Sequence, residues 1–215
     1  MTKYVPLTNQ NFIEPLKKIR DFKGLHQGKN IFIMASGTSL SLLDLSKLEH
    51  RMVMGLNRSV LVHPAPYYHC TMDHRLFEMY PELLNNVRQL FTLEGRPWGL
   101  PLKLLGGEGF SFDLEEGIYS GYTISYLALQ VAVYMGFKKI FFLGLDLRHD
   151  AERTHFFGTD HQTQNHERTE FPRMNKMLNH GAEVLASTDV KVYNCSPIST
   201  LECFPKISYE EALAS

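Results

Sequence analysis

Asn30 to Leu40 reads NIFIMASGTSL, and this stretch decides the fold. An apolar run stops abruptly at Ala35-Ser36-Gly37-Thr38-Ser39 and passes into LSLLDLSKL, which has helical spacing. A buried strand, a turn of very small residues and a helix start together form a device for holding a phosphate. Small side chains let backbone N–H groups approach an anion, and a helix N-terminus adds partial positive charge. A second strand, RMVMGLNRS, follows at once and ends at Asn57, a hydrogen-bonding side chain at a strand's carboxyl end. The loop is not a dinucleotide fingerprint, because Ala35 stands where G-x-G-x-x-G would begin, and no G-K-[ST] marks a Walker loop. A plain connection with a small residue at the turn is the bland alternative.

Working outward, strands and helices alternate. Thr8-Asn9 caps a helix expected through about Phe22, with Phe12, Leu16 and Ile19 on one face. The helix after the small-residue turn is expected to run to about Leu48. Further strands are expected at 51–56, 67–71 and 87–92, with a helix from His74 to about Leu84 interrupted by Pro81. Residues 94–118 are rich in Gly and Pro (GRPWGLP, LLGGEGF) and read as a long loop with a short extended piece at 110–112. Ser120 is expected to cap a helix ending at Gly136, and this helix leads into the fully apolar KKIFFLGLD, a strand suited to the centre of a parallel sheet. A polar, histidine-rich segment at 147–170, expected to be mobile, precedes a helix over 171–186 and a strand over 190–194. The expected fold is one α/β domain over 1–215, a doubly wound, mostly parallel Rossmann-like sheet with helices on both faces.

Composition excludes several classes. The 215 residues carry a formal net charge of −1, which argues against a general nucleic-acid binder. No stretch approaches the roughly 20 apolar residues of a spanning helix, and MTKYVPLTNQNFIEPL lacks a signal-peptide core. A cytoplasmic protein is expected, at most peripheral to a membrane. Cys70, Cys195 and Cys203 form no C-x-x-C pair and read as buried thiols.

In doubly wound sheets ligands bind outside the carboxyl ends of the strands. That rule selects Ser36, Gly37, Thr38, Ser39, Asn57, Asp73, Asp146 and Asn194, joined by Ser120, Gly121 and Thr123 at the start of the clearest helix. Two hydroxyl-rich bends, near residues 37 and 120, are expected to converge on one anionic ligand. Next to them His149, His155, His161, His166 and His180 fall within 32 residues, with Arg148 and Arg153 among them. This window suits a segment that brings cations to a leaving phosphate and a histidine to act as general base. Its spacing matches no metal signature, and a solvated loop is the plain alternative.

The set A-S-G-T-S-L, V-M-G-L-N, Y-S-G and G-F-K-K-I-F-F-L-G-L-D resembles the bacterial CMP-sialic-acid-dependent sialyltransferases of the lipooligosaccharide type. It is equally similar to a broader 6-hydroxymethylpterin diphosphokinase-like group. The first resemblance implies a CMP-sugar donor, a glycan acceptor in surface-glycan (lipopolysaccharide) synthesis, no required cofactor or metal, and a homo-oligomer. It implies donor binding by Ser36-Gly37-Thr38-Ser39, Asn57 and Ser120-Gly121, and a histidine base matched by position to His166, with His155 and His161 as rivals. The family's loop reads G-x-G-P-S-L, whereas Ala35 and Thr38 replace Gly and Pro here. Its phosphate-stabilising tyrosines have no match, since no tyrosine lies between Tyr134 and Tyr193. Arg153, His155 or His161 are then the substitutes by charge. The second resemblance implies ATP, a pterin and magnesium held by Asp73 and Asp146.

Overall fold

The computed structural model describes residues 18–63, 66–149, 153–161 and 164–215, without the side chains of 164, 166 and 167. The first expected helix lies largely outside these residues, and its described end is a single tight turn at Ile19–Phe22.

Seven strands form one sheet in which every pairing is parallel. They are β1 (Asn30–Met34), β2 (Val53–Leu56), β3 (Tyr68–Thr71), β4 (Gln89–Leu93), β5 (Leu100–Leu102), β8 (Lys139–Leu143) and β9 (Lys191–Asn194). The strand order is β5-β4-β3-β2-β1-β8-β9. The chain therefore moves outward from β1 to β5, then returns to the opposite side of β1 through β8. That reversal puts the topological switch point between β1 and β8, where Ile33 is in register with Phe142 and Met34 with Leu143. β6 (Leu104–Gly106) and β7 (Ile118–Tyr119) form a separate two-stranded parallel pair. The Gly- and Pro-rich segment read as a loop thus contributes three short strands.

Alternation along β1 divides the core. Ile31 and Ile33 face a cluster that includes Tyr126 to Leu129, Met177, Leu178 and Leu185. Phe32 and Met34 face the other side, with Leu40, Leu48, Tyr209 and Ala212. The first layer is built by α3 (Ile124–Tyr134) and α4 (Gln164–Leu185). α3 has apolar residues all round and is buried accordingly. The opposite layer is thinner, and it includes the short α5 (Tyr209–Leu213). α1 (Arg75–Met79) and α2 (Pro81–Asn85) meet at Pro81, as its missing N–H requires.

Three expectations change. The segment after β1 is not one helix to Leu48 but two short 3-10 turns, Thr38–Leu42 and Leu45–Leu48. Asp44 interrupts them, its side chain accepting the Ser46 N–H. α3 begins at Ile124, capped by Thr123 accepting the Ser125 N–H at 3.3 Å, rather than at Ser120. α4 begins at Gln164, seven residues earlier than expected, and carries Pro172 within it.

Candidate ligand cavity at the switch point

A cavity of about 490 Å³ opens over the carboxyl ends of the central strands. Ala35, Ser36 and Gly37 line it from β1, Asn57 from β2, Met72, Asp73 and Arg75 from β3, and Gly144 to His149 from β8. Tyr122, Thr123, Ile124 and Ser125 line it from the N-terminus of α3, and Thr154, His155, Phe171 and Met174 complete it. The bend near residue 37 and the start of α3 therefore face one space, with the positive end of a long helix opening onto it. Asn57, Tyr122 and Leu147 have φ of 44°, 60° and 49°, and these are the positive-φ residues other than glycine among the described residues. All three line the cavity. Backbone strain of this kind concentrates where a ligand must be met.

The β1 loop satisfies itself. Ser39 donates its N–H to Asp146 Oδ2 at 2.9 Å and its hydroxyl to Oδ1, while the Thr38 hydroxyl donates to Oδ2 at 3.4 Å. Gly37 donates its N–H to the Gly144 carbonyl at 2.8 Å. Gly37 must be glycine, since a Cβ there would lie 2.5 Å from the Gly144 oxygen and collide with the Asp146 carboxylate. The anion expected at this loop is thus supplied by the protein, and Thr38 and Ser39 are buried around it, outside the cavity lining. Asn194 is also fully buried. Its amide donates to the Leu145 carbonyl and the Ser199 hydroxyl and accepts from the Ser196 N–H, so it braces the β8 loop.

Asp73 and Arg75 form a two-pronged pair, with Nε–Oδ1 at 3.0 Å and Nη2–Oδ2 at 2.7 Å. Burial by itself would raise the Asp73 carboxyl, but the guanidinium and N–H of Arg75 outweigh it and hold the carboxyl below its ordinary range. Asp160, 8% exposed, bridges Arg58 at 2.9 Å and Arg75 at 3.4 Å. The Arg58 guanidinium lies over the Phe157 ring at 4.7 Å. Together with the Phe156 N–H, which donates to the Ser36 carbonyl at 3.1 Å, this network fastens 153–161 to the rim. Of the two carboxylates that the second resemblance implies for magnesium, Asp73 is forked by Arg75 and Asp146 accepts from Ser39 and Thr38, and both line the cavity.

Among the histidines, His149 and His155 line the cavity, with ring centroids 5.9 Å apart. His149 meets the edge of Phe171, and His155 stacks on Phe157 at 4.7 Å with Nδ1 2.8 Å from the Thr154 hydroxyl. Arg153 is exposed and donates to the Ser41 hydroxyl, and His161 is exposed; neither lines the cavity. The side chain of His166 lies outside the described residues. Ser120 and Gly121 stand behind the lining: the Ser120 hydroxyl accepts the Tyr122 N–H, and Gly121, with φ 56°, packs where a Cβ would strike Tyr126. Sequence reasoning passed over Tyr122, Arg75 and Ser125 as site residues. Tyr122 directly follows the quoted Y-S-G, and its left-handed backbone, with φ 60°, carries no mark in the sequence. Nothing in the sequence singled out Arg75.

No protein-family model and no curated protein matches this chain. Among solved structures, it is similar to the sialyltransferase CstII from Campylobacter jejuni in complex with the substrate analogue cytidine-5'-monophosphate. The match has 15% identity over 85% of this chain and 86% of that one, with a TM-score of 0.52. A second CstII structure, in complex with CMP-3FNeuAc, aligns at 15% identity over 84% and 85% with a TM-score of 0.47. The fold is a sialyltransferase-like α/β fold. Among the described residues no helix is long and apolar enough to cross a membrane, and no group of three or more His, Cys, Asp or Glu is placed to hold a metal.

Proposed function

We propose that this chain is a glycosyltransferase that takes an acidic sugar from a CMP-activated donor and passes it to a hydroxyl of a glycan acceptor. One observation carries the reading. Among the described residues the lining carboxylates of the switch-point cavity, Asp73 and Asp146, accept bonds from internal donors, and Arg148, His149, His155 and the N-terminus of α3 line the same space. Such a space favours a ligand rich in negative charge and hydrogen-bond acceptors. Its place in the sheet is the one doubly wound folds use for nucleotides, and the fold it shares with CstII supports the choice of CMP.

In this reading the acceptor hydroxyl attacks the anomeric carbon from the face opposite the phosphate. The new C–O bond forms as the bond to the phosphate oxygen breaks, and CMP departs with the electron pair. Arg148 and His149 balance the charge gathering on that phosphate. His155, whose Nδ1 is steadied by the Thr154 hydroxyl, takes the hydroxyl proton. A base of this kind contributes about 10²–10⁴-fold to rate.

The test is a thermal-shift and calorimetric series on the full chain with CMP, CDP and ATP, each with and without magnesium, followed by turnover of His155→Ala. CMP should stabilise without metal, by about 2.7 kcal/mol at 100 times its Kd. His155→Ala should keep CMP affinity and lose turnover. Stabilisation by ATP only in the presence of magnesium overturns the reading, and unchanged turnover removes His155 as the base.

A further inference from the structure

Asn57 is wired from behind. Its backbone sits at φ 44° on the cavity wall, a conformation that Asn tolerates better than most residues. Its carbonyl oxygen lies 2.9 Å from His69 Nε2. Since a carbonyl only accepts, Nε2 carries the proton and His69 is the donor. Its side-chain Oδ1 accepts the Thr71 hydroxyl at 3.1 Å. His69 and Thr71 are two residues apart on β3, share a face, and are both fully buried. Gly55 leaves room for this arrangement: a Cβ there would stand 2.5 Å from His69 Nδ1.

We propose that Thr71, with His69 holding the Asn57 backbone carbonyl from the same strand, is a positioning residue that fixes the Asn57 amide as a donor-only group, so that the cavity selects a ligand presenting a hydrogen-bond acceptor at that point. An amide has one acceptor oxygen and two N–H donors. With the oxygen held inside the protein by Thr71, the Nδ2 hydrogens are what Asn57 offers to a ligand. Without the Thr71 hydroxyl the amide turns freely and presents either end, and the discrimination is lost. The identity of the ligand rests on the CMP-sugar reading above; the wiring does not. The acceptor is either an oxygen of the phosphate or an acceptor on the nucleoside.

Four proteins test this: wild type, Thr71→Val, which keeps the shape but cannot donate, Thr71→Ser, which restores the hydroxyl, and Asn57→Asp, which keeps the shape but only accepts. The readouts are calorimetric Kd for CMP, cytidine and inorganic phosphate, and the ¹H–¹⁵N cross-peaks of the Asn57 side-chain amide, identified by their loss in Asn57→Asp. We expect Thr71→Ser to bind CMP within about twofold of wild type, and Thr71→Val to bind about tenfold more weakly, the equivalent of one hydrogen bond. Asn57→Asp should bind at least about a hundredfold more weakly, since an acceptor then faces an acceptor. The Asn57 cross-peaks should move in Thr71→Val and stay in place in Thr71→Ser. A penalty for Asn57→Asp with cytidine places the contact on the nucleoside; a penalty with CMP and phosphate alone places it on the phosphate. Unmoved cross-peaks in Thr71→Val, equal weakening in Thr71→Val and Thr71→Ser, or wild-type CMP affinity in Asn57→Asp overturns the proposal. If wild type does not bind CMP, the CMP-sugar reading fails on its own, and the cross-peaks still decide the wiring.

Discussion

Acidification should strip stability from this protein through His69, and the size of the loss follows from its burial. The imidazole is fully enclosed, and burial lowers its pKa from 6.5 to about 4; the bond to Asn57 opposes this shift and His63 adds to it. The unfolded chain therefore binds a proton that the folded chain refuses between those two values. Stability from this group is complete above pH 6.5 and falls as pH drops toward 4. The whole interval corresponds to roughly 3 kcal/mol at 1.36 kcal/mol per pH unit, of which about 2 kcal/mol is lost by pH 5. His69→Gln isolates the effect, because the glutamine amide still donates to the Asn57 carbonyl but does not titrate. Urea unfolding of both proteins at pH 7 and pH 5, extrapolated to water, gives a difference of differences. His26 and His63 are also lowered, chiefly by burial, but they act in both proteins and cancel. The wild type should lose about 2 kcal/mol more than His69→Gln between the two pH values. Equal losses would refute the reasoning.

Other perturbations follow from the same geometry. Gly37→Ala drives a methyl into Asp146 and the Gly144 carbonyl, and should cost about 1–3 kcal/mol, lowering Tm by several degrees in a calorimetric scan. Asp160→Asn leaves Arg58 and Arg75 without their shared counter-charge. It should cost about 3 kcal/mol in urea unfolding and quicken proteolytic cleavage within 153–161; wild-type stability would mean the network is inert. Gln130→Leu should be worse still, at about 3–5 kcal/mol. The fully buried amide of Gln130 serves the Ser111 N–H, both backbone groups of Tyr119 and the Tyr126 carbonyl, and a leucine removes all four of these bonds.

The sheet was legible because its central strands are extreme. NIFIM and KIFFL leave no solvent face, which only a strand covered on both sides accommodates, and Gly136 and Pro81 punctuate where their backbones demand it. The rule that ligands meet the carboxyl ends of parallel strands was enough to place Ser36, Gly37, Asn57, Asp73, Thr123 and Asp146 at one rim, whereas the strand order that puts the switch point between β1 and β8 was not read from the sequence. What escaped was which polar groups the protein spends on itself. Ser39, Asn194 and Asp146 look like ligand contacts in a one-dimensional reading, yet their partners lie on other strands and loops. The helical spacing of LSLLDLSKL was real as an apolar pattern, but Asp44 turned its side chain back on Ser46 and closed a tight turn instead. In α4 the polar QNHERTE was read as part of the histidine-rich segment before the helix, yet the helix runs through it, upstream of Pro172.

Asp146 reaches its hydroxyl and N–H partners at Thr38 and Ser39 from more than a hundred residues further along the chain. That separation has a consequence for assembly. While the ribosome has delivered only the first half of the protein, the glycine bend has strands on one flank and no counter-anion to close around. Its mature shape awaits the insertion of β8 beside β1, a long-range event of the slow kind. The bend at Gly37 is then among the last parts to be set, and nascent chains halted before residue 139 should carry every outward strand yet no finished mouth.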